Sequence, residues 1–71
     1  MKTVMVFGTF DIVHAGHLHF FRQAKRLGEK LIVIVGRDVN VTRLKKKKPF
    51  HSEKERLLFL RHIDYVDEAI L

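Results

Sequence analysis

Apolar and polar positions along the chain divide it into alternating strand-like and helix-like segments. Val4 and Val6, with their neighbours, form a short apolar run that stops at Gly8 and reads as a first strand. From Gly16 to Leu27 the apolar residues Leu18, Phe21, Ala24 and Leu27 recur at threes, and Phe20 widens the stripe. Arg22, Lys25 and Arg26 fall elsewhere, so this segment predicts an amphipathic helix, with Gly28 as its C′ terminator. Leu31 to Val35 is continuous, rich in β-branched residues and bounded by Gly36, as expected of a strand covered on both faces. Arg37 to Phe50 reads as a long polar connection closed by Pro49. Ser52 followed by Glu55 matches a capping box, opening a second helix to about His62 with Leu57, Leu60 and Ile63 inward. Val66 to Ile70 then reads as a third strand.

The order β-α-β-α-β indicates an α/β fold with a parallel sheet and right-handed crossovers. Doubly wound sheets continue for further strands, whereas here the pattern stops at the third. Residues 1–71 are therefore expected to be the N-terminal part of a longer domain, or a chain that associates to complete its layers. The second alternative places a homodimer contact at Val66, Ile70 or Leu71.

Composition narrows the chemistry. The 71 residues contain no cysteine, which excludes disulfides, thiolate metal sites and a cysteine nucleophile. No apolar run approaches the roughly 20 residues needed to span a bilayer, and the N-terminus has no signal segment, so a cytoplasmic location is expected. The net charge is +6, and its excess is local: Arg37, Arg43 and Lys45 to Lys48 place six positive charges within twelve residues, opposed by Asp38 alone. Such a cluster attracts nucleotides and phosphorylated metabolites as well as nucleic acid.

The richest segment for chemistry is Phe7-Gly8-Thr9-Phe10-Asp11-Ile12-Val13-His14-Ala15-Gly16-His17. His14 and His17 stand three apart where the first strand hands over to a helix, so both rings can approach one point at its mouth. Helix N-termini and permissive glycine backbone favour a bound anion, and crevices at strand C-termini are where open α/β sheets hold ligands. Gly8, Thr9 and Gly16 are accordingly candidate phosphate-binding positions, and His19 and His62 read as helix-surface residues. Asp11 suits ordering the loop through backbone N–H groups. Asp38 suits either a ribose hydroxyl or a loop cap, and Arg37 either substrate or solvent. Phe7, Phe10, Phe20 and Phe21 read as core or pocket wall. Zinc is disfavoured because His14, His17 and Asp11 lack the HExxH order, so magnesium carried by nucleotide phosphates is the expected metal.

His14-Ala15-Gly16-His17 resembles the HxGH signature of a nucleotidyltransferase superfamily, and Gly8-Thr9-Phe10-Asp11 before it resembles the cytidylyltransferase-like branch. Lys47 to Arg56 and Tyr65-Val66-Asp67-Glu68 also match that branch, which includes glycerol-3-phosphate cytidylyltransferase and archaeal-type FAD synthase. The resemblance implies a Rossmann-like three-layer α/β/α fold. It implies His14 and His17 stabilising charge at the α-phosphate, and Lys45 and Lys46 closing over the substrate phosphates. It further assigns Gly8, Thr9, Phe10, Gly16, Asp38 and Arg56 to nucleotide binding. The implied partners are a nucleoside triphosphate and a small phosphorylated acceptor. His51-Ser52 tilts toward CMP transfer from CTP to glycerol 3-phosphate, and Gly36-Arg37-Asp38 toward AMP transfer from ATP to FMN. A late phosphate-binding segment of the family lies outside these 71 residues, so a catalytically silent fragment stands as a further alternative. A basic nucleic-acid-binding module is the other, although the aromatics are not interleaved with the cations as a stacking platform requires.

Overall fold

The computed structural model describes residues 2–71. Six elements follow in order: β1 (Thr3–Gly8), α1 (Ala15–Lys25), β2 (Lys30–Val35), α2 (Asp38–Lys45), α3 (Glu53–Arg61) and β3 (Glu68–Ile70). The strands form one parallel sheet in the order β1-β2-β3. Val4 lies opposite Leu31, Val6 opposite Val33, and Val33 opposite Ala69.

That register sends one set of side chains to each face. Leu31, Val33, Val35 and Ala69 meet Phe21 and Ala24 of α1 and Leu57 and Leu60 of α3, with Val4 and Val6 packed against them. Both helices therefore cover the same face. The alternate positions Met5, Phe7 and Ile70 remain 51%, 72% and 45% exposed, so the opposite face is open over much of its area. The sheet and the α1/α3 layer are two of the layers of the Rossmann-like α/β/α nucleotidyltransferase fold expected above. The expectation that β2 is covered on both faces is thus met on one side only.

Several local expectations change once packing is seen. Of the predicted stripe only Phe21 and Ala24 are buried, while Leu18, Phe20 and, beyond the end of α1, Leu27 are substantially exposed. A spacing of three lags the helical repeat by about 60° per step, so Leu18 and Leu27 fall on opposite flanks. Gly28 is not a left-handed terminator, since no described glycine has positive φ. It is needed for close approach: a Cβ there would sit 2.6 Å from the Lys2 carbonyl oxygen.

The stretch 37–50 is not all loop, because Asp38–Lys45 is helical. Its Val, Asn and Thr residues are modest helix formers, which is why the pattern conceals it. Anchoring comes from Val41, 4% exposed, and from the neighbouring helix start: Asp38 N–H donates to Glu53 at 2.8 Å, and Glu53 N–H donates to Asp38 at 3.2 Å. The Ser52/Glu55 capping box forms as the spacing predicts.

β3 does have a covering helix on one face, α3, and Val66 is already part of the chain's own core at 9% exposure. Val66 is therefore unavailable to an intermolecular contact, unlike Ile70. Asp67 ties three elements together, accepting from Leu31 N–H at 2.6 Å and pairing with Lys25. The Lys25 ammonium and the Leu31 N–H hold its carboxyl below the usual range. Among the described residues no helix is long and apolar enough to cross a membrane.

Candidate active site

Each of the three helix N-termini carries partial positive charge from its unpaired N–H groups. Two are already matched by carboxylates in their first turn, Asp38 in α2 and Glu53 and Glu55 in α3. The first turn of α1 contains no acid. Its cap is built from the two histidines instead.

His14 is the N-cap, and its Nδ1 accepts from Gly16 N–H at 3.0 Å. His17, one turn on, returns the bond: its Nδ1 accepts from His14 N–H at 3.1 Å. The ring centroids lie 4.1 Å apart. An Nδ1 that accepts from an N–H carries no proton, so a neutral ring must keep its proton on Nε2. The backbone thus sets the tautomer of both histidines and leaves two Nε2–H donors for a ligand. Gly16 is required by this cap, because a Cβ there would meet the His14 ring at 2.8 Å. The space that the sequence suggests for ligand approach is used by the imidazole.

Burial, reinforced by the neighbouring His14, pushes the His17 pKa down from the ordinary histidine value. Protonating Nδ1 would abolish its acceptance from His14 N–H. The unfolded chain takes up this proton more readily than the folded chain. The contribution to stability is therefore complete above the ordinary value of about 6.5, and is lost as pH falls through it toward the lowered folded value. An NMR titration of the His17 ring should give a midpoint below about 6.5; a midpoint at or above that value would show that the cap does not oppose protonation.

Beneath the pair lies Phe10. It is 8% exposed and adopts φ 51°, the left-handed region that a bulky residue rarely enters. Its ring meets His17 edge-on at 5.7 Å and Phe21 at 5.3 Å. A Cβ on Gly8 would strike the same ring at 2.7 Å, so Gly8 is glycine to admit Phe10. The Phe10 side chain is consequently core, not a surface for nucleotide.

Beside this assembly, at the C-terminal end of β1 and β2, a cleft of about 490 Å³ is lined by Gly8, Thr9, Gly36, Arg37, Asn40 and Lys45, among others. Gly8, Thr9 and Lys45 are thus brought together as expected, with Gly36 and Arg37 beside them, and the cleft adds Asn40, which carries no local signal. Gly36 N–H donates to the Gly8 carbonyl at 2.9 Å, closing the sheet at its upper edge. Lys46 is the left-handed C-cap of α2, φ 59°, and does not line the cleft. A larger hollow of about 650 Å³ lies along α2 at Val39, Thr42, Arg43 and Lys48, apart from the histidines.

Two expected nucleotide contacts are engaged elsewhere. Arg56 is fully buried; it donates to Thr9 O at 2.8 Å, His51 O at 3.2 Å and Asp38 Oδ1 at 2.6 Å. Asp38 therefore pairs with Arg56 and bonds the start of α3; the Arg56 side chain is enclosed, whereas Asp38 stays 40% exposed at the edge of the larger hollow. Asp11 orders the loop as expected, accepting from Phe50 N–H at 2.7 Å and His51 N–H at 2.8 Å. Partial burial raises its carboxyl pKa, but these bonds outweigh that effect and leave the value lowered. His51, which the sequence offered only as a pointer to the acceptor, completes the brace through its Nδ1, 2.8 Å from Asp11 O. Among the described residues no three His, Asp or Glu side chains cluster to hold a metal ion.

Residues 5–71 match the cytidylyltransferase-like family. The chain is 52% identical over 67 residues to the FAD synthase of Archaeoglobus fulgidus, covering 94% of this chain and 47% of that protein. It is 47% identical over 68 residues to the FAD synthase of Thermococcus kodakarensis, covering 96% of this chain and 46% of the relative. A solved structure, described as the lipopolysaccharide core biosynthesis protein of Thermoplasma volcanium, superposes with a TM-score of 0.88 at 42% identity, covering 97% of this chain and 56% of that one. The chain spans about half the length of the curated relatives it matches. With this match running through the histidine cap and the cleft beside it, the chain belongs to the cytidylyltransferase-like family of HxGH nucleotidyltransferases.

Proposed function

We propose that this chain supplies the phosphate-binding part of an enzyme that transfers AMP from ATP to FMN, releasing pyrophosphate. The observation that carries the reading is the acid-free N-terminus of α1, where reciprocal bonds occupy both Nδ1 atoms and leave the two Nε2–H groups as donors. In this reading an FMN phosphate oxygen attacks the α-phosphorus of ATP. The bond to the bridging oxygen breaks on the opposite side, and pyrophosphate leaves with that electron pair. Phosphate oxygens are already nucleophilic at neutral pH, so placing two anions together is the main task. The histidines donate to the α-phosphate oxygens as charge develops there. Thr9, Arg37 and Lys45 face the remaining phosphates from the cleft, and Lys46 to Lys48 neutralise charge from outside it. Magnesium would be carried in with the triphosphate and would supply further neutralisation of its phosphate charge.

The FMN reading is preferred to glycerol 3-phosphate because the similar curated proteins are FAD synthases, at 44% to 52% identity. Incubating the protein with ATP and FMN should release pyrophosphate only when both are present. CTP with glycerol 3-phosphate is the comparison arm, and faster turnover there would reverse the choice of substrates. Hydrolysis to inorganic phosphate without dependence on an acceptor would overturn the transferase reading.

A further inference from the structure

A fully buried arginine with three separate acceptors is costly unless each bond is kept, and each of these bonds holds a different part of the site. Arg56 Nη1 holds Thr9 O at 2.8 Å, Nε holds His51 O at 3.2 Å, and Nη2 holds Asp38 at 2.6 Å. The same stretch of chain reaches the far side of the Thr9–Asp11 turn, where Phe50 and His51 N–H bind the Asp11 carboxylate. The turn is therefore gripped at both ends. Between the grips sits Phe10 in its left-handed conformation, a state that persists only where the surroundings over-determine it. The ring it presents lies under His17.

We propose that Arg56 is a positioning residue for the histidine pair: with Asp11 it clamps the Thr9–Asp11 turn, wedging the Phe10 ring under His17 and so setting where the two Nε2–H donors stand. Arg56 touches no substrate. It acts through Thr9, Phe10 and His17 in turn, and the planar fork is what the role demands. A lysine would retain the charge beside Asp38 but could not span the three acceptors. The Asp38 bond also ties the start of α2, and with it the helix bearing Lys45, to the same guanidinium. The cleft and the histidine cap thus share one buried hinge point.

The inference rests on the histidine pair being the phosphate donors, but its test reads the histidines directly. In Arg56→Lys the His17 ring and the Phe10 and Gly8 backbone resonances should move. The ring of His62, bonded to Leu58 O at the far end of α3, should keep its signals. Where transfer is measured, kcat should fall by roughly 10- to 100-fold, the scale of a small misplacement, with little change in KM. Unmoved His17 signals would overturn the proposal, as would an equal shift at His62, which would mean general loosening. If Arg56→Lys does not fold, Asp11→Asn releases the other grip from the exposed side. The same Phe10 and His17 shifts are then expected, and their absence overturns the clamp. Failure of ATP and FMN to react would remove the functional reading while leaving these resonance shifts to decide the clamp.

Discussion

His17→Ala is expected to lower nucleotidyl transfer by about 10²- to 10³-fold while the protein remains folded. A positioned donor that strengthens as charge develops in the transition state is worth roughly 2.7–4 kcal/mol. The structural cost is smaller. His17 supplies one of the two side-chain bonds of the α1 capping box, and losing such a cap costs about 1 kcal/mol. Its edge contact with Phe10 is lost as well, but Phe10 remains packed on Phe21. The comparison that decides is turnover per folded molecule, with urea denaturation alongside. His17→Asn is the informative partner, because an amide can still accept from His14 N–H while presenting a differently placed donor. A loss of stability like that of a core truncation, with turnover per folded molecule unchanged, would make His17 structural only.

Asp38→Ala should destabilise the fold by about 3 kcal/mol, the low end of the range for breaking a buried ion pair. The low end applies because Asp38 is itself 40% exposed, although its partner Arg56 is fully buried. Domains commonly have about 5–15 kcal/mol in total, so the urea midpoint should drop markedly. The cause is the guanidinium left without a counter-charge, together with loss of the bond to Glu53 N–H. Removing both partners, as Asp38→Ala with Arg56→Leu, should recover part of the loss, since no buried charge remains uncompensated. An Asp38→Ala protein with undiminished stability but weakened ATP binding would return Asp38 to the ribose role that its sequence position suggests.

These two positions mark the division between local and distant information. The three strands, the helix starting beside His14 and the Ser52/Glu55 cap were legible because their signals lie within a few neighbouring residues. Periodicity, glycine punctuation and capping spacing all act over one or two turns. The Gly8 to His17 segment was legible for the same reason: its histidine cap is an i, i+3 arrangement that closes on itself. Asp11 was correctly read as a loop organiser, although the segment it organises lies 39 and 40 residues away.

Helix α2, the burial of Arg56 and the pairing of Asp38 were decided by tertiary structure. The start of α2 is completed by Glu53, 15 residues on, and a string of β-branched and short polar residues gives little periodic signal. Arg56 sits in a sequence of charged residues at a helix start, where a solvated side chain is the ordinary outcome. It becomes buried because Thr9 O, 47 residues earlier, and Asp38, 18 residues earlier, converge on it. The inward face of α1 was also settled by packing, since a stripe spaced at threes drifts around the helix and only the sheet selects Phe21 and Ala24. By itself the sequence determined the three strands, the helices that open at His14 and Ser52, and the local segment in which the two histidines cap a helix. The tertiary structure alone decided which charged groups brace the turn before that cap, because a buried charge is tolerable only where remote parts of the chain bring it partners.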